Sequence, residues 1–111
     1  MDKILDAFIK KEIERQKYTL DLIPSENIAD PEMLSILGSP LVNKYSEGYP
    51  AKRYYPGNEH YDEIENLARE RALVCFGLKP DEWRANVQPY SGSPANHAVY
   101  LALLRPGDPV V

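Results

Sequence analysis

Two stretches of the chain bring together residue types that can do chemistry. The first is Ser91-Gly92-Ser93, followed by Pro94-Ala95-Asn96 and an apolar run. With a strand before it and a helix after it, such a turn gathers unpaired backbone N–H groups at the positive end of a helix dipole. That setting favours an anion such as phosphate. Gly92 lets backbone approach the anion closely, and the hydroxyls of Ser91 and Ser93 add donors. The plainer reading of the same residues is an ordinary helix start, with Ser93 as cap and Pro94 at the first position. Spacing alone does not separate the two.

The second stretch is Asn-Lys-Tyr-Ser-Glu-Gly-Tyr-Pro-Ala-Lys-Arg-Tyr-Tyr-Pro-Gly-Asn-Glu, residues 43–59. Glu47 sits among tyrosines and glycine, with Lys44, Lys52 and Arg53 as neighbours. A carboxyl group buried among aromatic rings is pushed toward neutrality, which suits proton transfer. Tyrosine hydroxyls orient a polar ligand and their rings stack on a flat one. The alternative is a tyrosine-rich interface loop with solvated charges.

Other candidates carry less. Neither His60 nor His97 has a second ligand at metal spacing, so no metal site is expected. Cys75 falls on the apolar side of a helix and reads as an inert core residue. Trp83 reads as packing for a turn. Ser25 has no histidine near it in sequence, so a serine-hydrolase nucleophile cannot be argued locally.

These residues need elements to position them. Ile4, Leu5, Phe8, Ile9 and Ile13 recur at helical spacing, which predicts a helix over 2–17 with Asp2 as cap and Asp6–Lys10 as a supporting pair. A short extended piece, Thr19 to Pro24, leads into Ser25-Glu26-Asn27. A second helix starts from Asp30 and Pro31 and stops at Gly38. Residues 39–58 read as one long irregular loop whose tyrosines argue against disorder. A third helix is predicted from Glu59 to Phe76, ending at Gly77, with Ile64, Leu67, Ala68, Arg71, Ala72, Val74 and Cys75 on its buried face. A turn over 78–84, a strand over 85–89, a deeply buried helix over 95–104 and a turn at 105–108 follow. Pro109-Val110-Val111 reads as the opening of another strand.

Composition narrows the function classes. The chain has 111 residues, 13 Lys+Arg against 17 Asp+Glu, a net charge of −4 and one cysteine. Mild acidity gives no electrostatic footprint for nucleic acid. The apolar stretch Ala98 to Leu104 is far short of the roughly 20 residues that span a bilayer. The N-terminus lacks the apolar run of a signal peptide, and one cysteine makes no internal disulfide, so a cytoplasmic setting is expected. Ten prolines and eight tyrosines imply long irregular segments that must pack against something.

From Leu22 onward the chain resembles serine hydroxymethyltransferase, a pyridoxal-phosphate-dependent family. The resemblance rests on three separated motifs in order: LIPSEN (22–27), NKYSEGYPAKRYYPGNE (43–59) and NVQPYSGSPANHAVYLALLRPGD (86–108). His97 stands where the family often has Phe, and Pro56 and Asn58 where Gly and Thr or Cys are commoner. The resemblance implies an α/β fold, with 1–40 as a helical N-terminal arm, 41–58 as a tyrosine-rich active-site and interface loop, and 59–111 as the incomplete beginning of the cofactor-binding large domain, aspartate aminotransferase-like and of fold type I. It implies pyridoxal 5'-phosphate as cofactor and tetrahydrofolate as co-substrate, in the reversible conversion of serine to glycine. By the same resemblance, Ser91, Gly92 and Ser93 match the phosphate-cradling turn. Tyr45 matches a tyrosine reaching the cofactor phosphate of a neighbouring subunit, and Glu47 the carboxyl group that handles the proton of the serine hydroxyl. Tyr54 and Tyr55 match tyrosines near substrate and folate. Ser25 matches a serine at the cofactor that helps hold the amino-acid carboxylate. A homodimer or tetramer with shared active sites is implied as well.

The family's Schiff-base lysine lies downstream of the matching stretch, and no lysine here sits in its motif. The 111 residues alone are therefore expected to be inactive, as the N-terminal part of a longer enzyme. The other reading is a non-catalytic interaction module that pairs with a full-length relative. The enzyme reading predicts that the natural product, detected in its own cells through a peptide of the tyrosine loop, weighs several times 12.6 kDa. An intact mass of 12.6 kDa would instead leave an interaction module or a gene remnant.

Overall fold

A computed structural model describes residues 2–110, which form two compact units, one up to Asn43 and one from Lys44 on. The first unit contains helix α1, Lys3–Tyr18, and helix α2, Pro31–Leu37, followed by a 3-10 turn at Pro40–Asn43. Both helices start as their sequences require. The Asp2 carboxylate accepts from the Ile4 N–H at 2.8 Å, and the Asp30 carboxylate from the Glu32 N–H at 2.8 Å, with Pro31 at the first position. Each cap satisfies one of the N–H groups a helix start leaves unpaired. Lys10 and Asp6 lie 2.7 Å apart, the supporting pair expected from their spacing. The α1 stripe of Ile4, Leu5, Phe8, Ile9 and Ile13 is solvent-exposed in this chain.

The second unit runs through strands β1 (Gly48–Tyr49) and β2 (Lys52–Arg53), helix α3 (Glu59–Cys75), a connecting segment, and helix α4 (Gly92–Leu103). β1 and β2 pair antiparallel, with Gly48 opposite Arg53 and Tyr49 opposite Lys52. The loop expected to be irregular over 39–58 is therefore organised around a hairpin. Its turn places Pro50 before Ala51, whose φ of +61° lies in the left-handed region. A proline followed by a positive φ is the pattern of a type II turn, which usually takes glycine in the second place. Gly48 has a φ of +97°, and a Cβ there would collide with the Lys52 carbonyl oxygen. Glycine is the residue that fits.

Helix α3 ends where its sequence says it should. Phe76 is the C-cap, and Gly77 follows with φ +65°. The Gly77 N–H donates to the Val74 carbonyl at 3.0 Å and the Leu78 N–H to the Leu73 carbonyl at 2.9 Å. That pair of bonds is a Schellman closure, which requires a left-handed residue at the glycine position. At the other end Asn58 is buried, but it turns its amide to the Tyr55 carbonyl, 2.8 Å away, and makes no side-chain cap.

Several expectations are corrected. Residues 85–89 form no strand, because a strand is defined by a neighbour's hydrogen bonds and none pairs with this segment among the described residues. Helix α4 begins at Gly92, so Pro94 stands third in the helix, not first. Its apolar side chains, Val99, Leu101 and Leu103 among them, are exposed in this chain, where deep burial was expected. Cys75 and Val74 are exposed too, and Leu73 is the one buried apolar residue among those described, at 8% exposure. The helices form where expected, but the face assigned to α3 is not the buried one: Ile64, Leu67, Arg71, Val74 and Cys75 are exposed, and Leu73, which was not placed on that face, is buried. Pro106 and Gly107 (φ +98°) make the expected turn, with the Asp108 N–H donating to the Arg105 carbonyl at 3.0 Å. The last predicted strand begins at residues 109–110, which show no strand pairing, and ends at Val111, outside the described residues.

A left-handed alanine costs roughly 1–2 kcal/mol relative to its ordinary conformations, while glycine returns part of that as extra freedom when unfolded. Ala51→Gly is therefore expected to slow exchange of the Tyr54 amide by up to about fivefold, a gain of about 1 kcal/mol. Hydrogen exchange read by mass spectrometry checks it, and faster exchange would show that the turn is not strained.

Candidate functional site

The site is built outward from Arg53. Its side chain is only 6% exposed, so its N–H groups must be satisfied by protein. Nε donates to Asp62 Oδ1 at 2.7 Å, and the two terminal nitrogens reach Ser46 O (2.7 Å), Gly48 O (2.8 Å) and Glu65 Oε2 (2.8 Å). Four of the five guanidinium N–H donors are engaged by these bonds. Burial works against the positive charge most strongly, but the bonds to Glu65 and Asp62 outweigh it and raise the Arg53 pKa above its ordinary value. Asp62 and Glu65 present their carboxylates at helical i, i+3 spacing from the start of α3. One planar cation thus fastens the hairpin to the helix.

A second set of bonds reinforces the first. The Ala51 N–H donates to the other Asp62 oxygen at 2.7 Å. Gln88 Nε2 donates to the Gly48 carbonyl at 2.8 Å and to Glu65 Oε1 at 3.0 Å. Arg69 Nε reaches the Ala85 carbonyl at 3.1 Å. The segment before α4 is held to α3 and to the hairpin by these side-chain bonds, without strand pairing.

The hairpin frames an open pocket of about 440 Å³ whose walls include Lys44, Tyr45, Glu47, Arg53, Glu65 and Gln88. Glu47 lies between two clamped carbonyls, and its own carbonyl accepts from the Tyr54 N–H at 3.1 Å. Its carboxylate is exposed in this chain, where the sequence suggested burial among tyrosines. Tyr45 and Tyr55 meet edge to face at 6.3 Å, and the Lys44 ammonium lies 6.0 Å from the Tyr55 ring centre. Tyr45, Tyr49, Tyr54 and Tyr55 all remain exposed. Rings of this size, held by a hairpin yet open to solvent, are available to a ligand or a partner surface.

The turn Ser91-Gly92-Ser93 opens α4. Ser91 is the N-cap in extended conformation and makes no side-chain cap bond, so its hydroxyl is not spent on the helix. The first turn carries no acidic side chain, and nothing lies within 4 Å of where a Cβ on Gly92 would stand. Free N–H groups of Gly92 and Ser93, two hydroxyls and an uncrowded glycine make a donor set that suits a phosphate group. Ser25 belongs to the first unit, in the turn where the Glu26 N–H meets the Ile23 carbonyl at 3.1 Å. Sequence reasoning missed the Asp62–Glu65–Gln88 set and gave Arg53 no role beyond a cation near Glu47, solvated on the interface-loop alternative. The available signal was an acidic pair at i, i+3 just after an arginine in a glycine-bearing loop.

A family model described as serine hydroxymethyltransferase matches residues 1–111. The chain is 55% identical to the cytosolic serine hydroxymethyltransferase of Saccharomyces cerevisiae over 105 residues, 95% of this chain and 22% of that protein. It is 61% identical to the cytosolic enzyme of Oryctolagus cuniculus over 98 residues, 88% of this chain and 20% of that protein. Serine hydroxymethyltransferase 4 of Arabidopsis thaliana is 53% identical over all 111 residues, 24% of its own length. The chain spans about a fifth to a quarter of the length of these curated relatives.

The Asp62 carboxyl is held below its ordinary range, first by the Ala51 N–H and then by Arg53. A depressed folded value contributes stability above the unfolded value of about 3.9, and that contribution is lost as pH falls through the folded value. Hairpin protection at the Ala51 amide is therefore expected to hold from pH 7 to 5 and to fail only under stronger acid. Asp62→Asn should lower it at every pH and flatten the acid limb. An acid limb unchanged in that variant would remove Asp62 as its source.

Proposed function

The chain belongs to the serine hydroxymethyltransferase family, and on that premise we propose that it supplies the N-terminal part of an enzyme that interconverts serine and glycine. In this reaction serine and tetrahydrofolate give glycine, 5,10-methylenetetrahydrofolate and water. The observation that carries the reading is the pairing in one unit of a clamped hairpin presenting Glu47 with a serine-glycine-serine helix start suited to phosphate. In this reading, residues 59–111 open a cofactor domain of fold type I, residues 1–40 form a helical arm, and 41–58 form the active-site and interface loop.

The donor set at the start of α4 fits the phosphate of pyridoxal 5'-phosphate, with Ser91, Gly92 and Ser93 as its holders. That cofactor supplies an electron sink for the bonds broken at the amino-acid α-carbon. Glu47 takes and returns the proton of the serine hydroxyl. Tyr54 and Tyr55 flank substrate and folate, Tyr45 reaches a cofactor phosphate, and Ser25 helps hold cofactor and amino-acid carboxylate. The exposure of all four hairpin tyrosines supports a hairpin that serves the site of a neighbouring subunit, in a dimer or tetramer. So does the exposure of apolar faces on α1 and α4. No described helix is long and apolar enough to cross a membrane. A cytoplasmic enzyme is proposed by analogy with relatives named cytosolic, although one from Neurospora crassa is named mitochondrial.

The reading is tested in the enzyme that carries this chain. Glu47→Gln is expected to lower kcat for folate-dependent serine cleavage on the order of 10²-fold, with KM for serine little changed. Ser91→Ala combined with Ser93→Ala is expected to weaken cofactor retention, measured by visible absorbance after dialysis. Full activity in the first variant and full retention in the second would overturn the reading.

A further inference from the structure

Glu47 can act on a substrate proton only if the backbone that carries it is fixed, and that backbone has an unusual support. The carbonyls of Ser46, Glu47 and Gly48 are all occupied: Ser46 O by Arg53, Glu47 O by the Tyr54 N–H, and Gly48 O by both Arg53 and Gln88. Gln88 spends its two amide hydrogens on acceptors that Arg53 also holds, Gly48 O at 2.8 Å and the Glu65 carboxylate at 3.0 Å. Arg53, Gly48, Gln88 and Glu65 therefore close a ring of hydrogen bonds. Gln88 reaches Gly48 across forty positions of sequence and stands three residues before the Ser91-Gly92-Ser93 turn.

We propose that Gln88 is the positioning residue for Glu47: its carboxamide closes the Arg53–Gly48–Glu65 ring and so ties the proton-handling carboxylate to the segment that carries the phosphate turn. Gln88 touches no reacting atom. It acts by saturating the second lone pair of the Gly48 carbonyl and the second oxygen of Glu65. Without it, Arg53 alone holds both groups, and the Ser46–Gly48 backbone gains freedom to rotate. Misplacement of a catalytic group by a fraction of an ångström lowers kcat and leaves ground-state binding in place.

This inference rests on the assignment of Glu47 to proton handling, so its test separates the two. In the cofactor-loaded enzyme, wild type, Gln88→Met, Gln88→Asn, Glu47→Gln and the Gln88→Met/Glu47→Gln double variant are compared. Gln88→Met keeps side-chain volume and removes the donors; Gln88→Asn keeps the amide but withdraws it by one methylene. Both are expected to lower kcat about tenfold with KM for serine within about twofold. The double variant should be no slower than Glu47→Gln alone, because a lost position matters only while the carboxylate is there. Hydrogen exchange gives a readout apart from activity: the Tyr54 amide should exchange faster in both Gln88 variants and at the wild-type rate in Glu47→Gln. Full kcat or unchanged Tyr54 exchange in the Gln88 variants, or an additive loss in the double variant, would overturn this inference alone. Full activity in Glu47→Gln would overturn the assignment of Glu47 and this inference with it.

Discussion

An arginine that leaves water must find acceptors for its N–H groups within the protein, and the second unit is arranged around that demand. Arg53 draws carbonyls from the strand opposite and carboxylates from the first turns of α3. The hairpin has only two residues in each strand, too few for a ladder to hold it. It is fastened instead to a long helix, through Arg53 to Asp62 and Glu65 and through the Ala51 N–H to Asp62. A lysine could not replace the arginine, since an ammonium offers three donors from a single point and lacks the planar fork.

This clamp explains the irregular features around it. Ala51 accepts a left-handed backbone because its N–H gains Asp62 in exchange. Gly48 accepts a conformation that a side chain would forbid, and its carbonyl becomes the shared acceptor of Arg53 and Gln88. The tyrosines gain most. A flexible loop with four exposed aromatic rings would collapse on itself, whereas a clamped hairpin presents them outward at fixed positions. The same logic places the Ser91-Gly92-Ser93 turn: the segment before α4 has no strand partner among the described residues, and Arg69 and Gln88 locate it from the side.

Exposed apolar faces on α1 and α4 set the scale at which this chain folds. Leu73 alone among the described apolar residues is buried, and a single buried leucine supplies about 2 kcal/mol, far below the ordering entropy of even one short helix. The apolar faces of α1 and α4 have no cover among the described residues, and the chain spans about a fifth to a quarter of the length of the relatives it matches.

The sequence by itself determined what is local. Asp2, Asp30 and Pro31 fix helix starts, Gly77 a helix end, and the Ser91-Gly92-Ser93 run a donor-rich turn, because caps and glycines act through neighbours within four residues. Three motifs in order also made the family legible. Only the tertiary structure decided that Arg53 is buried, that Asp62 and Glu65 bond to it, that Gln88 shares its acceptors Gly48 and Glu65, and that residues 85–89 are held by side chains without pairing as a strand. Asp62 and Glu65 lie nine and twelve positions from Arg53, and Gln88 thirty-five. An acidic pair at i, i+3 after an arginine is visible in sequence, but it does not say that these residues meet; desolvation of the guanidinium brings them together, and that acts only once the chain has folded back on itself.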